Sequence, residues 1–172
     1  MNRLSFSVML LACTMPAPSL ARDASTPDCE APPARYLGDL LHAFGEKAVE
    51  AINLAGGSES KASDAKLRRL LGDHAEFSLG GGDVGRPLGE GVAAIRKMAR
   101  EMRADTFRFL NWDYIPTPVG DRCAKQELTI EFVDSGQDYV FPVKFTFENG
   151  RIVAGAGWRR SFTSGPIAPV RD

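Results

Sequence analysis

The chain has 172 residues, 44% of them hydrophobic and 25% charged, with 21 basic residues against 22 acidic ones. That length suits one ordinary domain, and a formal net charge of −1 offers no basic field to hold a nucleic acid. Past the first residues, no apolar stretch approaches the twenty or so residues that a membrane span needs.

Arg3, the apolar run from Leu4 to Ala12 and the small-x-small triplet Ser19-Leu20-Ala21 together have the form of an export signal. We therefore expect residues 1–21 to be removed from a bacterial protein that is periplasmic or secreted. Leu10-Leu11-Ala12-Cys13 also has the outline of a lipobox, which would leave a lipidated Cys13. Leu11 stands where a small residue is preferred, so lipidation ranks second. Cleavage after Ala21 leaves Cys29 and Cys123, an even pair that an oxidising compartment would join. The competing expectation is two unrelated buried thiols. A bridge of that span would stabilise by about 4.5 kcal/mol in the chain-entropy model.

Residues 22–33 are polar and proline-bearing and read as an extended arm. A helix follows from about Ala34 to Ala55, with Leu37, Leu40, Leu41, Phe44, Ala48, Ala51, Ile52 and Ala55 along one stripe. Gly38 and Gly45 inside it each cost up to about 1 kcal/mol relative to Ala, and point either to a close neighbour or to a tolerated weak spot. Ser63 or Asp64 is placed to cap the next helix, which carries Leu67, Leu70 and Leu71 and stops at Gly72. From His74 to Leu79 the period changes to two, with Ala75, Phe77 and Leu79 on one face. The glycines from Gly80 to Gly85 read as a loop, and a third helix starts at Gly91 with Val92, Ile95, Met98 and Met102 inward and Arg96, Lys97, Arg100 and Glu101 outward.

Strands dominate what remains. Phe107 to Ile115, Gln126 to Asp134, Asp138 to Glu148 and Arg151 to Phe162 all have strand character, and Asn149-Gly150 is a type I′ hairpin signal. Tyr139, Phe141, Val143, Phe145 and Phe147 share one face, while Pro142 predicts an edge or a bulge. In the last strand, strict alternation places Ile152, Ala154, Ala156, Trp158, Arg160 and Phe162 together. Helices first and an antiparallel run last make an α+β domain, three helices on a curved, mainly antiparallel sheet. It would span residues 34–163, followed by a flexible tail over 164–172.

The long first helix, the passages LLGDHAEFSL and GRPLGEGVAAIRKM and the closing FTFENGRIV hairpin resemble the nuclear transport factor 2-like superfamily, which includes ketosteroid isomerases and SnoaL-type cyclases. The resemblance implies a cone-shaped fold, often with a pocket in which the enzymes place acids and tyrosines. Laid on the isomerase pattern through Leu54-Ala55-Gly56, Ala75-Glu76-Phe77 and Phe145-Thr146-Phe147, the helix-one tyrosine position falls on Val49. The general-base position falls on Leu79 and the oxyanion-side acid on Val143. Aliphatic side chains neither transfer protons nor donate hydrogen bonds, so the resemblance implies no such chemistry here.

Other candidates are thin. His42 and His74 are the two imidazoles. Asp73 and His74 are neighbours on a strand and point apart, and nothing has metal-ligand spacing. The glycine run before a helix would cradle an anion, but it lacks a P-loop's Lys-Ser/Thr and a dinucleotide fingerprint. Trp112, Tyr114, Trp158, Arg159 and Arg160 are residue types that anchor interfaces or line pockets. Against that, Trp158 would serve as core and the arginines would pair with Glu127 or Glu131. The expectation is an exported, non-catalytic binding protein with no cofactor and no metal. Its partner would be a protein, for instance a toxin neutralised by an immunity protein, or a small apolar ligand in the cone. A homodimer through the outer sheet face is a further expectation. The alternative is a SnoaL-like lyase or isomerase using Tyr36, His42, Trp112 and Asp113.

Overall fold

A computed structural model of the protein describes residues 29–81, 85–109 and 117–161. The export signal, Cys13, Trp112, Asp113, Tyr114, Phe162 and the tail lie outside the described residues. The elements are α1 (Leu37–Gly56), α2 (Lys61–Leu70), β1 (Leu71–Gly81), β2 (Gly85–Glu90), α3 (Gly91–Met102), β3 (Thr106–Phe109), β4 (Gln126–Asp134), β5 (Tyr139–Glu148) and β6 (Arg151–Ser161). Six strands form one sheet in the order β2-β1-β6-β5-β4-β3. Every pairing is antiparallel except that of β1 with β6. The α+β expectation holds.

The apolar stripe of α1 explains how the helices lie on the sheet. Leu40, Phe44, Ala48, Ala51 and Ala55 are buried, and Phe44 stacks on Phe147 of β5 with ring centroids 4.4 Å apart. Gly45 is buried because the Phe109 ring lies against it: a Cβ there would sit 2.5 Å from Phe109 Cε1. The close-neighbour reading of that glycine is the correct one.

Several expectations need correction. The cap of α2 is Ser60, in a reciprocal capping box with Ser63. Arg96 is not solvated: it is 4% exposed. Its Nη2 donates to Asp64 Oδ1 at 2.8 Å and to Ser63 Oγ at 2.7 Å, and its Nη1 to the Ala55 carbonyl at 3.3 Å. One guanidinium thus ties α3 to the end of α1 and the start of α2. The segment expected to be a loop through Glu90 contains β2, an edge strand paired to β1 with a register shift at Phe77/Ser78. Its glycines and Pro87 hid it, since such residues are tolerated at edges and bulges. Pro142 defies the same rule. It sits opposite Glu131 in β5, a central strand, with no register shift at that point. One missing ladder bond costs about 1 kcal/mol, less than burying the flanking Phe141 and Val143 returns.

The largest correction concerns β6. A register shift at Thr146/Phe147 pairs Ile152 with Phe147 but Ala154 with Thr146. The extra residue flips the alternation. Ile152 is fully buried on the helix-bearing inner face, while Ala154, Ala156, Trp158 and Arg160 fall on the outer one. Gly155 and Gly157 take the inner positions. A Cβ on Gly155 would lie 2.8 Å from Phe77, and one on Gly157 would lie 2.9 Å from Val143.

The arm is stitched down. Cys29 and Cys123 form the expected disulfide, Cα atoms 5.7 Å apart. Glu30 N–H donates to the Asn149 carbonyl at 2.9 Å. Lys47 Nζ donates to the Glu30 and Gly150 carbonyls at 3.0 Å each, and Arg151 pairs with Glu30. Asn149 and Gly150 both have positive φ, 51° and 82°, as a type I′ turn requires.

Candidate functional site

Two of the concavities among the described residues lie beside the core. The first is a pocket of about 370 Å³ at the mouth of the cone, lined by Leu79, Gly80 and Gly81 from β1, Arg86 from β2 and Glu101 from α3. Gln137, Tyr139, Phe141 and Arg159 complete it. The second is a groove of about 560 Å³ between α1 and β3, lined by residues including His42, Glu46, Val49, Phe107 and Phe109. Phe107 is 41% exposed there.

The mouth is built by strand parity. Tyr139 and Phe141 begin the inner face of β5, and across from them Arg159 lies on the inner face of β6, one inner position before Ser161, which pairs with Tyr139. The Arg159 guanidinium lies over the Tyr139 ring, 4.7 Å from its centroid, a cation–π contact. On its other side β1 presents Gly81, paired in register with Arg159. Opposite, Arg86 Nη2 donates to Glu101 Oε2 at 2.6 Å, so those two charges cancel. The floor is Leu79 and Phe141, both buried.

The positions that the resemblance marks for a tyrosine, a general base and an oxyanion-side acid carry aliphatic side chains. Val49, Leu79 and Val143 are all buried, and Leu79 Cδ1 and Val143 Cγ2 lie within 3.0 Å of where a Gly157 Cβ would stand. Among the described residues the buried charged groups are Arg96, Glu131 and Asp134, each with a structural partner. Arg96 holds the helices together, Glu131 pairs with Arg108 of β3, and Asp134 Oδ1 accepts the Gly136 N–H at 3.1 Å inside the β4–β5 turn.

Of the five residues singled out from sequence, three are described, and they divide between the two faces of β6. Arg159 lines the mouth. Trp158 and Arg160 share the outer face, with the guanidinium 5.6 Å from the indole, and Trp112 and Tyr114 lie outside the described residues. Neither arginine takes the expected partners, since Glu127 is held by Lys125 and Lys144. His74 is exposed beside Glu90 rather than Asp73, and His42 pairs along the helix with Glu46. Tyr36 stands at the N-cap position of α1 without a side-chain cap bond and forms a β-bridge with Pro118, outside the lining of the mouth. Gly80 and Gly81 belong to a hairpin, with β2 between them and α3, so they are no helix N-terminal cradle. Arg86, Glu101 and Gln137 were missed because distant segments bring them together. The alternation of β5 was the one available signal, and it marks Tyr139 and Phe141.

No protein-family model matches the sequence, and no curated protein matches it. Solved structures align partially. A de novo designed protein with a curved β-sheet is 16% identical over 69% of this chain and 86% of the other, with a TM-score of 0.43. A nuclear transport factor 2-like protein of unknown function from Silicibacter pomeroyi is 17% identical over 70% and 92%, TM-score 0.42. A candidate ketosteroid isomerase from Kribbella flavida is 11% identical over 73% and 83%, TM-score 0.42. By its own element and sheet order the fold is α+β, three helices on a six-stranded, mainly antiparallel sheet, and these likenesses add nothing about activity.

Proposed function

We propose that this chain is an exported protein that acts by binding rather than by catalysis, with the mouth of the cone as its contact site. The observation that carries the reading is that buried aliphatic residues, Val49, Leu79 and Val143, stand where the resemblance would put proton-handling groups. Its partner is a small ligand with an apolar part, or a protein such as a toxin that the chain neutralises in the periplasm. Export through cleavage after Ala21 belongs to the same proposal. The Cys29–Cys123 bridge supports it, because disulfides persist in oxidising compartments.

Two measurements test this reading. Native mass spectrometry of the full chain purified from a bacterial periplasm should find an N-terminus at Arg22 and a retained small molecule or protein. Arg159→Ala should weaken that retention, whereas Trp158→Ala should not. An unchanged set of bound species with Arg159→Ala would count against the mouth. A diacylated Cys13 would replace simple export by anchoring.

A further inference from the structure

The mouth carries a charge pattern that narrows its ligand, and this step rests on the binding reading above. Two guanidinium groups face the pocket. Arg86 is matched by Glu101 at 2.6 Å. Arg159 faces no carboxylate among the described residues; its contact is the Tyr139 ring. Among the described residues the pocket therefore holds one unmatched positive charge, on a shelf formed by the Tyr139 ring and above a floor of Leu79 and Phe141. Gly81 leaves the guanidinium room to move, since even an added Cβ there would stand 3.9 Å from Arg159 Nη2.

We propose that the mouth binds a small amphiphilic monocarboxylate, its head taken by Arg159 and its hydrocarbon laid on Leu79 and Phe141. A planar guanidinium forks one carboxylate with two parallel hydrogen bonds. A doubly charged phosphate would call for more donors than the single unmatched arginine supplies. A cationic ligand would meet the same charge and be repelled. The pocket volume of about 370 Å³ falls near the lower end of the usual ligand-site range, which suits a compact ligand rather than a sterol-sized one.

Octanoate, octanol and octylammonium, titrated calorimetrically into the oxidised full chain, form the test. Octanoate should bind at least tenfold more tightly than octanol, octylammonium should bind weakest, and added salt should weaken octanoate alone. Arg159→Gln should bring octanoate down to the octanol level. Arg160→Gln, on the outer face, should change nothing, and it controls for general loss of charge. Equal binding of octanoate and octanol, untouched by Arg159→Gln, would overturn charge recognition and leave an apolar-ligand function standing. Failure of all three to bind would overturn the ligand class and leave only the protein partner. Arg159 is exposed, so its replacement should preserve the fold, which the unfolding midpoint checks.

Discussion

Leu79 and Val143, which reach the inner face of the sheet from two different strands, converge on the same spot above Gly157. Their terminal carbons stand 3.0 and 2.9 Å from where its Cβ would be. That convergence closes the cone beneath its mouth, and the vacancy at Gly157 is what makes room for it.

Gly157→Ala should therefore destabilise the protein by about 1–3 kcal/mol, the usual cost of overpacking. Gly155→Ala should behave alike, since its Cβ would press on Phe77 and Phe145. Ala156→Gly, on the outer face between them, should cost about 1 kcal/mol or less. Urea unfolding of the three variants measures the difference.

A second contrast separates two arginines of α3. Arg96→Ala removes a buried guanidinium and strips Asp64, Ser63 and the Ala55 carbonyl of a donor, so a loss of about 3 kcal/mol is expected. Arg100 pairs with Glu59, and both side chains are more than 60% exposed. Arg100→Ala should stay within about 0.5 kcal/mol. Thermal unfolding of both variants checks the ranking.

These contrasts mark where the sequence was legible. The stripe of α1, the alternation in β1, β4 and β5 and the Asn149-Gly150 turn are local patterns, and each element formed over its pattern, although β1 already begins at Leu71, which the leucine spacing assigns to the second helix. Arg96 was misread because helical periodicity places a residue on a face without saying what packs there. The outer placement of Trp158 followed from one extra residue at the start of β6, and a bulge leaves no local signature in a run such as Ile152-Val153-Ala154. The mouth was hidden for a related reason: Arg86, Glu101 and Arg159 meet only once the sheet has its register.

The disulfide joins the arm to the segment before β4, and its loss should cost stability without dismantling the fold. Replacing Cys29 and Cys123 together by Ser should lower unfolding stability by about 2–4 kcal/mol. The backbone bond from Glu30 to Asn149 and the Lys47 contacts remain, so amide exchange at Glu30 should rise while that of β5 is preserved. Simultaneous loss of protection in both would mean that the bridge holds the whole sheet.

The same corner should show in the pH dependence. The hydrogen bond from Arg151 holds the Glu30 carboxyl below its ordinary value of 4.5, with burial opposing and the nearby charges of Arg151 and Lys47 helping. A depressed folded pKa contributes stability that is present above the unfolded value and is lost as pH falls through the folded one. Glu30→Gln should thus lower stability slightly at pH 7, by less than about 1 kcal/mol for so exposed a pair. It should flatten the decline below about pH 4.5. Melting temperatures from pH 7 to pH 3 test the slope.

The most direct test of binding at the mouth is methyl NMR of the full chain with Leu79 and Val143 assigned, during titration with octanoate. The Leu79 methyls should shift saturably, the Val143 methyls beneath them should move little, and Arg159→Gln should abolish the response. Shifts confined to Val49 and Leu54, in the groove beside Phe107, would place the ligand elsewhere and contradict the account.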